Sequence, residues 1–106
     1  MKDCVFCKIV GGQIPTEFEE ENNTLVVFKD IHPKASIHYL IVSKEHKRDI
    51  MEDNGEIWVN IGKMAKKLAK KMEISNFRLV HNAGGAADIA HIHVHFLGNV
   101  EVDREV

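Results

Sequence analysis

His91-Ile92-His93-Val94-His95-Phe96 is the stretch on which the reading of the chain turns. Histidines alternate here with apolar residues, and a period of two belongs to a β-strand with two unlike faces. One face is core. The other is a row of imidazoles, which cost stability in an interior unless their nitrogens are satisfied, so three in register mark a face that lines a site. Neighbours two apart on a strand are separated by about 6.6 Å, placing His91 and His95 about 13 Å apart, too far for one ion to take all three. At least one imidazole is left for nucleophilic attack, proton transfer or anion binding.

Upstream, Asn82 to Asp88 is a loop of small residues that lets backbone come close to a ligand. The histidines sit in a predicted strand over Ile89 to Gly98, and Phe77 to His81 forms another before the loop. Glu56 to Met72 is the one long helix: Ile57, Ile61, Met64, Leu68 and Met72 recur at three- and four-residue steps, with Trp58, Ala65 and Ala69 widening the stripe. Asp53 and Glu56 fit a capping box, and Lys63, Lys66, Lys67, Lys70 and Lys71 make a solvated face. Ser36 to Ser43 is a strand with His38, Leu40 and Val42 on one face and Ile37, Tyr39 and Ile41 on the other. Thr24 to Lys29 pairs with an acidic edge strand over Thr16 to Glu21 as a hairpin, and Lys47 to Met51 is a helical turn. Asp30 to Ala35 is a loop, because Pro33 pushes His32 out of helical geometry. Cys4 to Val10 is a short helix ended by a left-handed cap at Gly11-Gly12. The sum is a single α+β domain over 1–106: about five antiparallel strands, one long helix and a short N-terminal one.

The chain has 106 residues, 44% of them hydrophobic, and a net charge of -2, which suits one soluble domain and does not favour nucleic-acid binding. No apolar run approaches a membrane span, and the N-terminus has no signal-peptide pattern, so a cytoplasmic protein is expected. The two cysteines, Cys4 and Cys7, read in a reducing compartment as a metal half-site or a redox pair before a structural disulfide. His32 and His81 carry no assigned role beyond solvated or satisfied imidazoles.

Together, His91-x-His93-x-His95-Phe96-Leu97, Phe6-Cys7-Lys8-Ile9-Val10 with Ile14-Pro15, Phe28-Lys29-Asp30-Ile31-x-Pro33, His38-x-Leu40-Ile41-Val42-x-Lys44-x-His46 and Asn82-x-Gly84 resemble the histidine-triad (HIT) nucleotide-binding superfamily, in its zinc-containing Hint-like branch. The matches run in order over nearly the whole chain. The resemblance implies a homodimer and a purine nucleotide or nucleotidyl conjugate as ligand, with neither nucleic acid nor membrane as partner. His93 would attack the α-phosphorus and form a nucleotidyl-imidazole, its other nitrogen held by a carbonyl of His91. His95 and His38 would contact the phosphate, Asp30 the ribose, and Phe6, Ile9, Ile14, Phe28 and Ile31 the base. Asn82 and Asp88 complete the implied nucleotide-binding set.

The same resemblance assigns Cys4, Cys7, His46 and His91 to one structural zinc per chain, a closed Cys2His2 set. The chain departs from the pattern at Ala87 and Asp88, where many relatives carry Gln followed by Ser or Thr. Ala87 cannot donate a side-chain hydrogen bond, and an ionised Asp88 repels phosphate. The competing expectation is therefore a nucleotide-binding or scaffold module with little turnover.

Overall fold

The computed structural model describes residues 3–102, in the order α1 (Val5–Val10), β1 (Glu20–Glu21), β2 (Leu25–Lys29), β3 (Ile37–Ser43), α2 (Glu56–Lys71), β4 (Phe77–Val80) and β5 (His93–Gly98). The five strands form one antiparallel sheet in the order β1-β2-β3-β5-β4. Short 3-10 turns at Ile50–Glu52 and Gly84–Ala86 break up the connections on either side of α2 and β4.

Alternation sorts the strands as expected. Leu25, Val27, Tyr39, Ile41, Val94 and Phe96 face α2, which buries Ile61, Met64, Ala65, Leu68 and Ala69 against them. On the other face Val26, Phe28, Leu40 and Val42 pack with Phe6 of α1 in a smaller cluster. Histidines occupy what remains of that second face, because Leu40 pairs with His95 and Val42 with His93.

Local differences from the sequence reading have identifiable causes. The left-handed residue after α1 is Gly12 (φ +82), while Gly11 stays right-handed; Gln13 N–H bonds Lys8 C=O and Gly12 N–H bonds Ile9 C=O, a Schellman arrangement. Instead of a capping box at α2, Asp53 Oδ2 accepts from Gly55 and Ile57 N–H and Asn54 Oδ1 from Glu56 N–H, while the Asp53 N–H donates to Ile50 C=O. Trp58 leaves the core stripe and lies half-exposed against His81. The edge strand shrinks to Glu20–Glu21, since Phe18 turns in to pack on Phe28. Lys67 and Lys71 of the basic helix face are tied to β1 through Glu19 and Glu20 at 2.7–2.9 Å.

The largest correction concerns the histidine strand, which begins at His93 and not at Ile89. His91 N–H turns back to Ile89 C=O, and the His91 ring, in place of a backbone group, takes the Ser43 carbonyl at 2.7 Å. Of the three histidines in the row, only His93 and His95 therefore lie in strand geometry.

Candidate functional site

A cavity of about 530 Å³ opens on the α1 face of the sheet. Val5, Phe6 and Ile9 of α1 form one wall with Ile14, Pro15 and Thr16; Phe28, Lys29 and Leu40 of the sheet, the loop residues Asp30, Ile31 and His32, and Asp88 with Ile89 line the rest. His93 and His95 both line it. The lining is chiefly apolar with a smaller set of polar groups, the ordinary make-up of a small-molecule site. Val5, Ile14 and Ile31 are exposed apolar residues at this cavity, ready to cover a flat ligand.

Hydrogen bonds assign the tautomer of each imidazole that matters. His93 Nδ1 lies 2.7 Å from His91 C=O, which can only accept, so Nδ1 carries the proton and Nε2 keeps its lone pair. The His93 ring is held further by the edge of Phe6, 5.0 Å between centroids. His38 Nδ1 accepts from Lys34 N–H at 2.9 Å, so its Nε2 carries the proton, aimed at His95 Nδ1 at 2.9 Å and at Asp30 Oδ2 at 3.3 Å. His95 Nδ1 is thereby an acceptor and the proton of neutral His95 sits on Nε2. Burial pushes the pKa of both His38 and His95 down, which keeps them neutral. The site thus places an imidazole lone pair, on His93, beside an imidazole N–H donor, on His95, their centroids 5.3 Å apart.

On the far side of Phe6, the donor atoms of Cys4, Cys7, His46 and His91 lie within 4.8 Å of one another. His91 Nε2–H donates to Ser43 C=O, leaving Nδ1 as a lone pair toward the cluster. That nitrogen is 3.1 Å from His46 Nδ1, 3.2 Å from Cys4 Sγ and 3.5 Å from Cys7 Sγ, and Cys7 Sγ is 3.1 Å from His46 Nδ1. A tetrahedral ion with zinc's bond lengths needs ligand separations of about 3.3 Å between nitrogens and about 3.6 Å between sulfur and nitrogen, so the residues fit such an ion after small expansion. Asp30, His38 and His95 also converge. They suit a metal poorly, because the Lys34 N–H occupies His38 Nδ1 and forces a proton onto the nitrogen that would have to ligate.

All four expected metal ligands are thus brought together, and Phe6, Ile9, Ile14, Phe28, Asp30, Ile31, Asp88, His93 and His95 line one cavity. His38 is not among the lining residues but contacts two that are, His95 at 2.9 Å and Asp30 at 3.3 Å. Asn82 is not among the lining residues. Asp30, expected on a ribose, also accepts from His32 N–H at 2.7 Å and faces His38. Val5, Pro15, Thr16, Lys29, Leu40, Ile89 and His32, the last expected to have no role, line the cavity unforeseen; Leu40 was findable, since it shares a face with His38.

Comparison with known proteins agrees with this geometry. The family model described as scavenger mRNA decapping enzyme C-term binding matches residues 3–104. A HIT-like protein of Methanocaldococcus jannaschii is 33% identical, over 97% of this chain and 84% of its own length. The adenosine 5'-monophosphoramidase of Mus musculus is 35% identical over 93% of this chain, which spans 65% of that longer protein. A HIT family hydrolase from Clostridium thermocellum superposes with a TM-score of 0.90 at 35% identity, covering 100% of this chain and 98% of that one. With sheet order, histidine placement and these matches in agreement, the chain belongs to the histidine-triad (HIT) family of hydrolases.

Proposed function

We propose that this protein hydrolyses purine nucleoside phosphoramidates or related nucleotidyl conjugates at the α-phosphate, through a covalent nucleotidyl-histidine. The carrying observation is the tautomer of His93: with Nδ1–H tied to His91 C=O, the Nε2 lone pair is the nitrogen left for attack. Nε2 forms a bond to phosphorus as the P–N bond breaks, and the amine departs with a proton taken from water, which the hydrolysis step returns. Water then cleaves the nucleotidyl-imidazole, yielding the nucleoside monophosphate and restoring His93. His95 Nε2–H stabilises charge on the phosphate oxygens in both steps, and His38 holds His95 in the donating tautomer. The apolar lining takes the base, and Asp30 the ribose hydroxyls once it turns from His38. The purine preference follows the phosphoramidase relative.

Cys4, Cys7, His46 and His91 would hold one structural zinc per chain, clipping α1 to the sheet. The protein acts as a homodimer: β4 is a sheet edge, and half- to fully exposed Ile50, Met51, Trp58 and Val59 offer apolar surface on the turn and helix that meet His81 just after it. Among the described residues no helix is long and apolar enough to cross a membrane, and a reducing cytoplasm suits the free thiols.

The test is hydrolysis of an adenosine phosphoramidate by the parent and by His93→Asn, with intact-mass detection of a nucleotidylated parent. Loss of turnover in the variant supports the reading; undiminished turnover refutes it. Binding of nucleoside monophosphate without turnover by the parent would favour the non-catalytic module that Ala87 and Asp88 bring into view.

A further inference from the structure

β4 leaves the sheet after Val80, its last residue paired with β5 (Val80 opposite His95). Continued register would bring Asn82 opposite His93, but the chain has already departed toward the small-residue loop. Along β5 carbonyls alternate in direction, and since Ile92 C=O accepts from Ser43 on the β3 side, His93 C=O points to the side that β4 has vacated. That carbonyl is met by a side chain: His81 Nδ1 lies 3.1 Å from it. His81 Nε2 accepts from Ile50 N–H at 3.3 Å, so Nδ1 carries the proton and donates. Both ring nitrogens are committed, and Trp58 packs an edge against the ring at 5.8 Å between centroids.

We propose that His81 is a positioning residue for the nucleophile, its imidazole replacing the missing strand partner and fixing the main chain of His93. The inference rests on the phosphoramidase reading for its kinetic consequence, though not for the contact itself. The brace extends further. The turn that donates Ile50 N–H to His81 also carries Asp49, whose Oδ2 accepts from Gly84 N–H at 2.9 Å and so anchors the small-residue loop. One turn therefore holds both the start of the loop and, through His81, the backbone from which His93 Nε2 is aimed. Nucleophile placement is sensitive to displacements of about 1 Å, which can cost about a hundredfold in rate, and this gives the hydrogen bond kinetic leverage out of proportion to its strength.

Three variants separate the roles. His81→Phe keeps ring volume against Trp58 and removes both hydrogen bonds. His81→Asn restores a donor at the place of Nδ1 but leaves Ile50 N–H without its acceptor; His81→Gln does the reverse. Steady-state kinetics on an adenosine phosphoramidate, well below each melting temperature, should show kcat lowered about tenfold or more in the Phe and Gln variants with KM little changed, and largely recovered in the Asn variant. Equal kcat in the Asn and Gln variants, or parent-like kcat in a folded Phe variant, would overturn the proposal. A contribution to stability alone would leave kcat untouched in all three. Should the parent show no turnover, the phosphoramidase reading fails by itself, and the positioning claim is then decided by NMR: amide exchange at residues 93–95 should quicken, and the His93 ring should lose its single tautomer, in the Gln variant but not in the Asn variant. Identical spectra for the two would reject it.

Discussion

Replacing His38 by Ala tests the pairing of tautomers on which the proposed chemistry depends. His38 is 5% exposed and gives its Nε2–H to His95 Nδ1 at 2.9 Å, which is what leaves the His95 proton on Nε2, the nitrogen available to the phosphate. Without that donor, the two tautomers of His95 differ only by their own surroundings. A neutral hydrogen bond contributes about 0.5–1.5 kcal/mol net, so the donating tautomer loses a bias of about 2- to 12-fold, which is the upper limit on the fall in kcat. Removal of an oxyanion-stabilising donor costs about 10²–10³ in kcat, so His95→Ala should be far worse, and His93→Ala should abolish the covalent route. Stability should fall by about 1–3 kcal/mol, because the hydrogen bonds to Lys34 N–H and His95 Nδ1, about 0.5–1.5 kcal/mol each, are lost together. The assay pairs kcat on an adenosine phosphoramidate with ¹⁵N spectra of the imidazoles at neutral pH. A His38→Ala protein whose His95 remains wholly in the Nε2–H form, or whose kcat drop equals that of His95→Ala, would refute the reasoning.

Other expectations follow from the same geometry. Metal analysis should find about one zinc per chain, lost in Cys4→Ala/Cys7→Ala; chelation should lower Tm, since an ion at a hundred times its dissociation constant adds about 2.7 kcal/mol to the folded state. Metal content indifferent to the cysteines would exclude the ligand set. Because burial lowers the folded pKa of His38 and His95 below the ordinary 6.5, the unfolded chain takes up protons first as pH falls, so their stabilising effect is complete above about pH 6.5 and is lost on acidification toward their folded values. Urea melts of the parent should therefore show a steeper loss of stability below pH 6.5 than those of a His38→Phe variant, and parallel profiles would contradict the shifts. Gly98→Ala should destabilise by about 1–3 kcal/mol, as a Cβ there would stand 2.9 Å from Ile37 Cβ and 3.2 Å from Ile74 Cδ1; an unchanged denaturation midpoint would show that the strands can part. Asp88→Ser should raise turnover of dinucleoside polyphosphates, whose leaving groups are anionic, more than that of phosphoramidates, because Asp88 lines the cavity with His93 and His95; equal effects on both would remove Asp88 from the leaving-group side.

Much of this architecture was legible because its signals are periodic or chemical. The two faces of β3 follow from alternation of Ile37 to Val42, and the buried side of α2 follows from its three- and four-residue steps. The clustering of Cys4, Cys7, His46 and His91 was legible as residue types in family order. What could not be read was decided by tertiary contacts that leave no periodic trace. His91 drops out of the strand because its ring competes successfully for the Ser43 carbonyl, and Trp58 leaves the α2 stripe because His81 offers it a surface. The Asp30–His38 approach depends on a loop closing over a strand end. His81 looked like an idle histidine, since its proposed role arises only where β4 stops two residues short of pairing with His93.

His91 belongs to two sites at once: its ring nitrogen faces the thiols, and its carbonyl holds the ring of His93. Such sharing makes the two sites partners in a thermodynamic cycle. Whatever free energy an ion in the cluster would contribute to fixing the His93 ring, a ligand that fixes the same ring would return to the ion, so affinities for the proposed zinc and the proposed nucleotide would rise or fall together by a common factor. With the proposed ion in place, a cluster that performs no chemistry would in this way make the metal supply a determinant of how tightly the protein holds a nucleotide.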